Sequence, residues 1–223
     1  MILQCSYQKG EDNMQLQKMM TYNLRTDFIT EIIQMVSGLL LFLFLWVHML
    51  FVSSIWRGAG AFNVLANFMD RWGLLPFTIM FLIIVFALHI GTVLRRMPSQ
   101  YLEHKVVWKH AKLIHHADTW SWVFQSITGT AIIILAMIHI AIVSFAGINA
   151  HLSALRVQSR EFLIFYIVLL LLSEYHASVG LYRVFAKWGF VNRHSMKRIL
   201  NFISLFMIFI GAITLGILYT LGA

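Results

Sequence analysis

Five stretches of the chain are each long and apolar enough to cross a bilayer: residues 31–56, 74–94, 120–146, 161–185 and 198–221. No other feature limits the fold as strongly. A hydrocarbon core about 30 Å thick is crossed by roughly 20 helical residues. Backbone inside it must satisfy its own hydrogen bonds, which leaves only helices and closed barrels. These runs are continuous rather than alternating, which argues against barrel strands. The fold class is therefore all-α, a membrane bundle of five transmembrane helices. Of the 223 residues, 60% are hydrophobic and only 12% charged, too little polar surface for a water-soluble domain of this length. The chain divides into a polar N-terminal segment, residues 1–30, and a five-helix transmembrane domain, residues 31–223.

The N-terminal segment lacks a basic start followed directly by a short apolar stretch and a cleavage site, so it does not read as a signal peptide. Its Cys5 is the only cysteine. That excludes a disulfide framework, a cluster ligated by the chain's own thiolates, and covalent haem attachment through C-x-x-C-H. The formal charge of +8 would fit nucleic acid. Its distribution excludes that reading. Thirteen of the 17 Lys and Arg precede the first run, lie between the second and third, or lie at and between the ends of the fourth and fifth. Only Arg57, Arg71, Arg156 and Arg160 fall on the opposite side. This asymmetry places the N-terminus in the cytoplasm and the C-terminus outside.

A repeat lies within the apolar runs. Aligned at an offset of 91 residues, Gln34 matches Gln125, Ser37 matches Thr128, Gly38 matches Gly129, His48 matches His139 and Ser53 matches Ser144. At an offset of 87, His89 matches His176, Leu94 matches Leu181 and Arg96 matches Arg183, a weaker correspondence. The chain reads as two helical hairpins of the same polarity, followed by a fifth helix without histidine.

The ten histidines divide into two sets. Six lie in loops or at helix ends. His48, His89, His139 and His176 stand alone, one in each of the first four spans. A polar residue at that depth is costly and needs a partner. With outward first and third helices and inward second and fourth, His48 and His139 form an outer layer, and His89 and His176 an inner one. At about 1.5 Å per residue, each layer lies roughly 8–12 Å from its own surface. Two imidazoles at one depth on facing helices suit the axial positions of a six-coordinate haem. Gly38 and Gly129 lie ten residues before His48 and His139, about 15 Å deeper, at the inner layer, where small residues admit a flat macrocycle. A single intramembrane histidine is more often an interhelical hydrogen-bonding residue; four matched in depth favour the cofactor. Zinc is disfavoured, because no carboxylate or cysteine joins both members of a pair at suitable spacing.

The stretches HMLFVSS (48–54), HADTWSWVFQSITG (116–129) and HASVGLYRVFAKWG (176–189) carry a family resemblance. The chain resembles the single-chain, di-haem cytochrome b membrane anchors of menaquinol:fumarate reductases and related succinate:quinone reductases, most of all the five-helix fumarate reductase type. The resemblance spans the first to the fifth helix. It implies two b haems, a proximal one on His89 and His176 and a distal one on His48 and His139. Gln34, Trp122 and Lys187 match positions near the proximal propionates. Lys187 lies about three turns beyond His176, at the inner surface, and reads equally well as a snorkelling lysine. Glu174 matches an intramembrane glutamate assigned to proton relay, and Asp70, by ungapped counting from His48, an acidic residue of the quinol site. At that position the closest family pattern has Glu, and Asp70 reads equally well as a solvated acid paired with Arg71.

The resemblance also implies partners: a flavoprotein subunit with FAD, an iron–sulfur subunit, menaquinone as substrate, and membrane lipid. It implies a bacterial cytoplasmic (inner) membrane and, beyond the heterotrimer, a dimer of heterotrimers. The basic segments 95–119 and 186–198 would face the soluble partners. Fumarate chemistry would lie on a partner chain, for this one has neither a soluble catalytic domain nor a dinucleotide fingerprint. Three other readings stay open at this point: the opposite physiological direction, a cytochrome b anchor for a hydrogenase or formate dehydrogenase, and a haem-free proton channel using His and Glu.

Overall fold

In the computed structural model, residues 24–95, 97, 101–189 and 192–222 are described. Cys5, Lys9 and Lys18 of the N-terminal segment, and Arg96, lie outside the described residues. Each apolar run forms one long helix. These are α1 (Leu24–Ser53), α3 (Leu74–Leu94), α5 (Ala117–Ala146), α7 (Arg160–Trp188) and α8 (Arg193–Leu221). All five are long and apolar enough to cross a membrane. The bounds of α3 coincide with its run; α5, α7 and α8 reach beyond theirs, and α1 begins before its run but ends at Ser53, where a 3₁₀ turn takes over. An apolar run measures the length in contact with hydrocarbon, whereas a helix continues into the polar interface. The 30 residues of α1 extend about 45 Å, against a core of about 30 Å. The boundary drawn at residue 30 therefore falls inside α1, which begins at Leu24.

Three shorter helices lie among the described residues. The amphipathic stretch after the first span forms α2 (Ala59–Arg71), entered through a 3₁₀ turn, Ser54–Arg57. The basic segment between the second and third spans contains α4 (Tyr101–Ile114), and α6 (Ala150–Gln158) precedes α7. Asn149 caps α6, its Oδ1 accepting from the Leu152 N–H at 2.8 Å. Asn63 of α2 reaches over and accepts from the Ala150 N–H at 2.8 Å. Ser159 and Asn192 cap α7 and α8 in the same manner. Gly73 (φ +60°) makes the turn from α2 into α3, and Gly189 (φ +69°) ends α7, both in the left-handed region that glycine enters without strain.

The hairpin α1–α3 packs along one seam, the hairpin α5–α7 along another, and α8 packs against both α1 and α7. Gly211 of α8 is where it comes closest. A Cβ there would lie within 2.9 Å of Leu170 and Met49. The tightest apolar core is not at mid-bundle. It sits at the end opposite α4, where Ile55, Phe62, Ala66, Ala150, Ala154, Val157 and Leu218 meet. Alanines on α2 and α6 let these short helices lie close over the bundle. Along the spans, large apolar side chains such as Phe202 (73% exposed) face outward, as lipid solvent permits.

Candidate cofactor site

The inner histidines are held by the two copies of the repeat. On α1, the stretch Gln34–Gly38 faces α3. His89 Nδ1 lies 3.1 Å from Ser37 Oγ, beside the backbone of Gln34. Ser37 Oγ in turn donates to the Gln34 carbonyl at 3.2 Å. A Cβ on Gly38 would stand 3.1 Å from His89 Cε1. On α5, the stretch Gln125–Gly129 does the same for α7. His176 Nδ1 donates to the Gln125 carbonyl at 3.0 Å and lies 3.3 Å from Thr128 Oγ1. A Cβ on Gly129 would stand 2.8 Å from His176 Cε1. The glycines thus clear space for a ring from the neighbouring helix. Each hydrogen bond is made within one hairpin, and the two rings interact electrostatically across the gap between the hairpins.

The outer histidines meet directly. His48 of α1 and His139 of α5 have ring centroids 5.9 Å apart and planes at 67°. His48 stacks on Phe44 with centroids 5.6 Å apart. His139 meets the edge of Tyr166 at 5.7 Å. Tyr166 is hydrogen-bonded to Arg156, whose guanidinium also donates to the carbonyls of Ala146 and Gly147 at 3.2 and 2.9 Å. His139 Nδ1 is buried with no hydrogen-bond partner among the described residues. Each of the two pairs therefore draws one histidine from each hairpin.

Glu174 is 1% exposed and belongs to a different seam. Two residues from His176 on one helix, it points away from α5 and toward α8, where it meets the Ser204 hydroxyl. Its Oε1 has no hydrogen-bond partner among the described residues. Lys187 is ion-paired with Glu31, one turn before Gln34. Trp122, half-buried, lies one turn before Gln125 on α5, and its carbonyl accepts from Ser126 Oγ at 3.0 Å. Asp70 is exposed in the last turn of α2, with its carbonyl accepting from the Gly73 N–H at 2.9 Å. No described contact joins Asp70 to His48 or His139.

The donor set fits haem better than a bare metal ion. Among the described residues no group of three His, Cys, Asp or Glu side chains converges on a common point. A structural zinc needs four such ligands, whereas a haem brings its own in-plane donors and asks only for axial ones. The glycine clearances at the inner pair and the unpartnered His139 Nδ1 at the outer pair belong to the same picture. Ser37, Gln125 and Thr128, which the sequence marks only as members of the repeat, contact the rings. Arg183 donates to Gln125 Oε1 at 2.7 Å. The repeat gives no sign of Tyr166, and Arg156 stands in the sequence only as one of the outer-side cations. Counting ten residues back from His176, about 15 Å along α7, would have found Tyr166 at the outer level.

Fold and site together define a class: helical membrane proteins that carry paired imidazoles between two like hairpins, as membrane cytochromes do. Comparison with known proteins narrows this. Residues 101–215 match the family described as succinate dehydrogenase/fumarate reductase transmembrane subunit. The chain is 32% identical over 199 residues to the fumarate reductase cytochrome b subunit of Helicobacter pylori, covering 83% of this chain and 78% of that one. It is 32% identical over 200 residues to the protein of the same name from Wolinella succinogenes, covering 82% and 78%. It is 28% identical over 180 residues to the succinate dehydrogenase cytochrome b558 subunit of Bacillus subtilis, covering 78% and 86%. The chain belongs to the family of succinate dehydrogenase/fumarate reductase transmembrane subunits.

Proposed function

We propose that this chain is the quinol-reactive cytochrome b anchor of a fumarate reductase, with two b haems, one on His89 and His176 and one on His48 and His139. The observation that carries the reading is the arrangement of four span histidines as two pairs, each bridging both hairpins, with the inner two held by matching Gln-x-x-Ser/Thr-Gly stretches. Fumarate reductase relatives at 32% identity support the direction from quinol to fumarate. Haem, when bound, supplies reversible one-electron chemistry.

The protein's own groups have the following roles. The Ser37 hydroxyl and the Gln125 carbonyl take the Nδ1 hydrogens of His89 and His176, leaving each Nε2 lone pair for iron. Gly38 and Gly129 keep the space beside those rings open. Trp122 and the Lys187–Glu31 pair stand near the mouth on the α4 side, where Lys187 can turn to an anionic propionate. Glu174, buried on the α7–α8 seam with one free oxygen, offers a protonatable group along the path that would offset moved charge. Asp70 stands at the opposite surface as an acceptor for quinol protons. The α4 end faces the cytoplasm and receives iron–sulfur and flavoprotein partners, where fumarate is reduced.

The purified complex should contain two haems per copy of this chain, with b-type α bands after dithionite reduction, and a flavin-bearing partner. A preparation that retains its flavoprotein and iron–sulfur partners but contains no haem would refute the reading. Asp70→Asn should lower quinol turnover while leaving haem content unchanged; an unaltered turnover removes Asp70 from the quinol site.

A further inference from the structure

We propose that the repeated stretch Gln-x-x-Ser/Thr-Gly is a positioning device that lowers the reduction potential of the iron held by His89 and His176, by fixing and polarising both Nδ1–H groups. The inference rests on the haem-binding reading above. It begins with the direction of each hydrogen bond. A carbonyl oxygen can only accept, so the contact of His176 with Gln125 requires a hydrogen on Nδ1. The hydroxyls are already committed as donors. Ser37 Oγ donates to the Gln34 carbonyl at 3.2 Å. Thr128 Oγ1 lies 2.9 Å from the Phe124 carbonyl and 3.1 Å from that of Gln125. Their lone pairs therefore face the imidazoles: the His176 Nδ1–H is shared between Thr128 Oγ1 and the Gln125 carbonyl, and Ser37 Oγ accepts from His89 Nδ1–H. Neutral imidazole with hydrogen on Nδ1 has its lone pair on Nε2, the atom left to bind metal.

Electron density drawn from the Nδ1–H bond makes Nε2 a stronger donor. A more basic axial ligand favours the ferric over the ferrous state, and so lowers the potential. Burial strengthens the effect, since water does not compete for the same hydrogens. Back-bonding of a hydroxyl within a helix is not by itself the distinguishing feature. Ser126, Thr130 and Ser144 of α5 also donate to carbonyls four residues earlier, with no imidazole against them. Among the described residues, Ser37 and Thr128 are the two hydroxyls, one per hairpin, whose oxygens meet a histidine ring nitrogen. The outer pair provides an internal reference, because His139 Nδ1 has no acceptor among the described residues.

The test is a potentiometric titration of the haem absorbance in the purified complex. Thr128→Val preserves shape and removes the hydroxyl acceptor; Ser37→Ala does so on the other hairpin; Thr128→Ser restores it. In Thr128→Val and in Ser37→Ala, one haem should shift upward while the other stays, and Thr128→Ser should keep the native value. At fixed potential the reduced-to-oxidised ratio of that haem should rise about threefold to tenfold, the upper end being about 59 mV for one electron. Two haems per chain, both at native potential in Thr128→Val and Ser37→Ala, would overturn the proposal and leave the haem reading standing. A native complex without haem would overturn that reading itself. If Thr128→Val does not assemble, Ser37→Ala decides alone: an upward shift supports the proposal, and none refutes it.

Discussion

A histidine inside a span is a residue whose presence must be accounted for by a partner, and here the four partners differ. His89 and His176 spend Nδ1 on their own hairpin. His48 and His139 turn their rings to each other, 5.9 Å apart. Pairing by level has a direct consequence. His139→Ala should reduce haem from two per chain to one, and His89→Ala should do the same by removing the other haem, read as haem-to-protein ratio and from which α band is lost. Loss of both haems from either single change, in a folded protein, would contradict the pairing. Glu174 has a different kind of consequence, because its neighbour is the Ser204 hydroxyl and not an imidazole. Glu174→Gln keeps the size and a hydrogen-bonding end but removes the exchangeable proton. Quinol-driven fumarate reduction should fall to background, while reduction of fumarate by a soluble dye donor stays at its native rate. Native quinol turnover in that variant would exclude Glu174 from proton transfer.

Helices bring these residues together because the same Gln-x-x-Ser/Thr-Gly pattern occurs at the same height on α1 and α5. The clearances around its glycine grade the outcome of filling the space. A methyl at position 129 would meet His176 Cε1 at 2.8 Å and Nδ1 at 3.3 Å, whereas at position 38 it would meet His89 Cε1 at 3.1 Å. Gly129→Ala should therefore deplete haem from the inner pair more than Gly38→Ala, with overpacking of about 1–3 kcal/mol as the driving cost. Gly216→Ala, with nothing within 4 Å, should leave haem content unchanged. An equal loss in all three, measured by haem-to-protein ratio, would show that the clearances do not govern binding. This part of the site was legible in the sequence, since the identities at Gln, Ser/Thr, Gly and His recur at one offset and a span of apolar residues hides nothing polar. Other parts were not legible. α4 and α6 are short and carry no apolar run of spanning length, so they register only through caps such as Asn149. Tyr166 and Arg156 belong to no repeat, and their approach to His139 is made by the packing of α6 against α7. The seam occupied by Glu174 was equally hidden, because position along a helix reveals depth but not which neighbour a side chain faces.

At the scale of the whole molecule, the two ends differ in both charge and packing. One end carries α4, with Lys105, Lys109 and Lys112 all exposed. The other is closed by α2 and α6 over the tight apolar cluster, with few cations. A soluble redox partner needs a polar, accessible face, and the basic end supplies it, while short helices sealing the far end suit the level where a quinol enters from lipid. The excess of Lys and Arg also sets orientation, since cationic segments next to spans are retained on the cytoplasmic side. On the proposed function, α4 lies inside the cell and α6 outside. The ends are separated by the full length of α5, so one labelling experiment decides the matter. In a Cys5→Ser background, Lys112→Cys should react with a membrane-impermeant thiol reagent in inside-out vesicles and not in right-side-out ones. His151→Cys, exposed on α6, should show the reverse. Labelling of Lys112→Cys from outside intact cells would invert the orientation. It would place the partner-facing end on the wrong side of the membrane for a cytoplasmic flavoprotein, whatever the histidines hold.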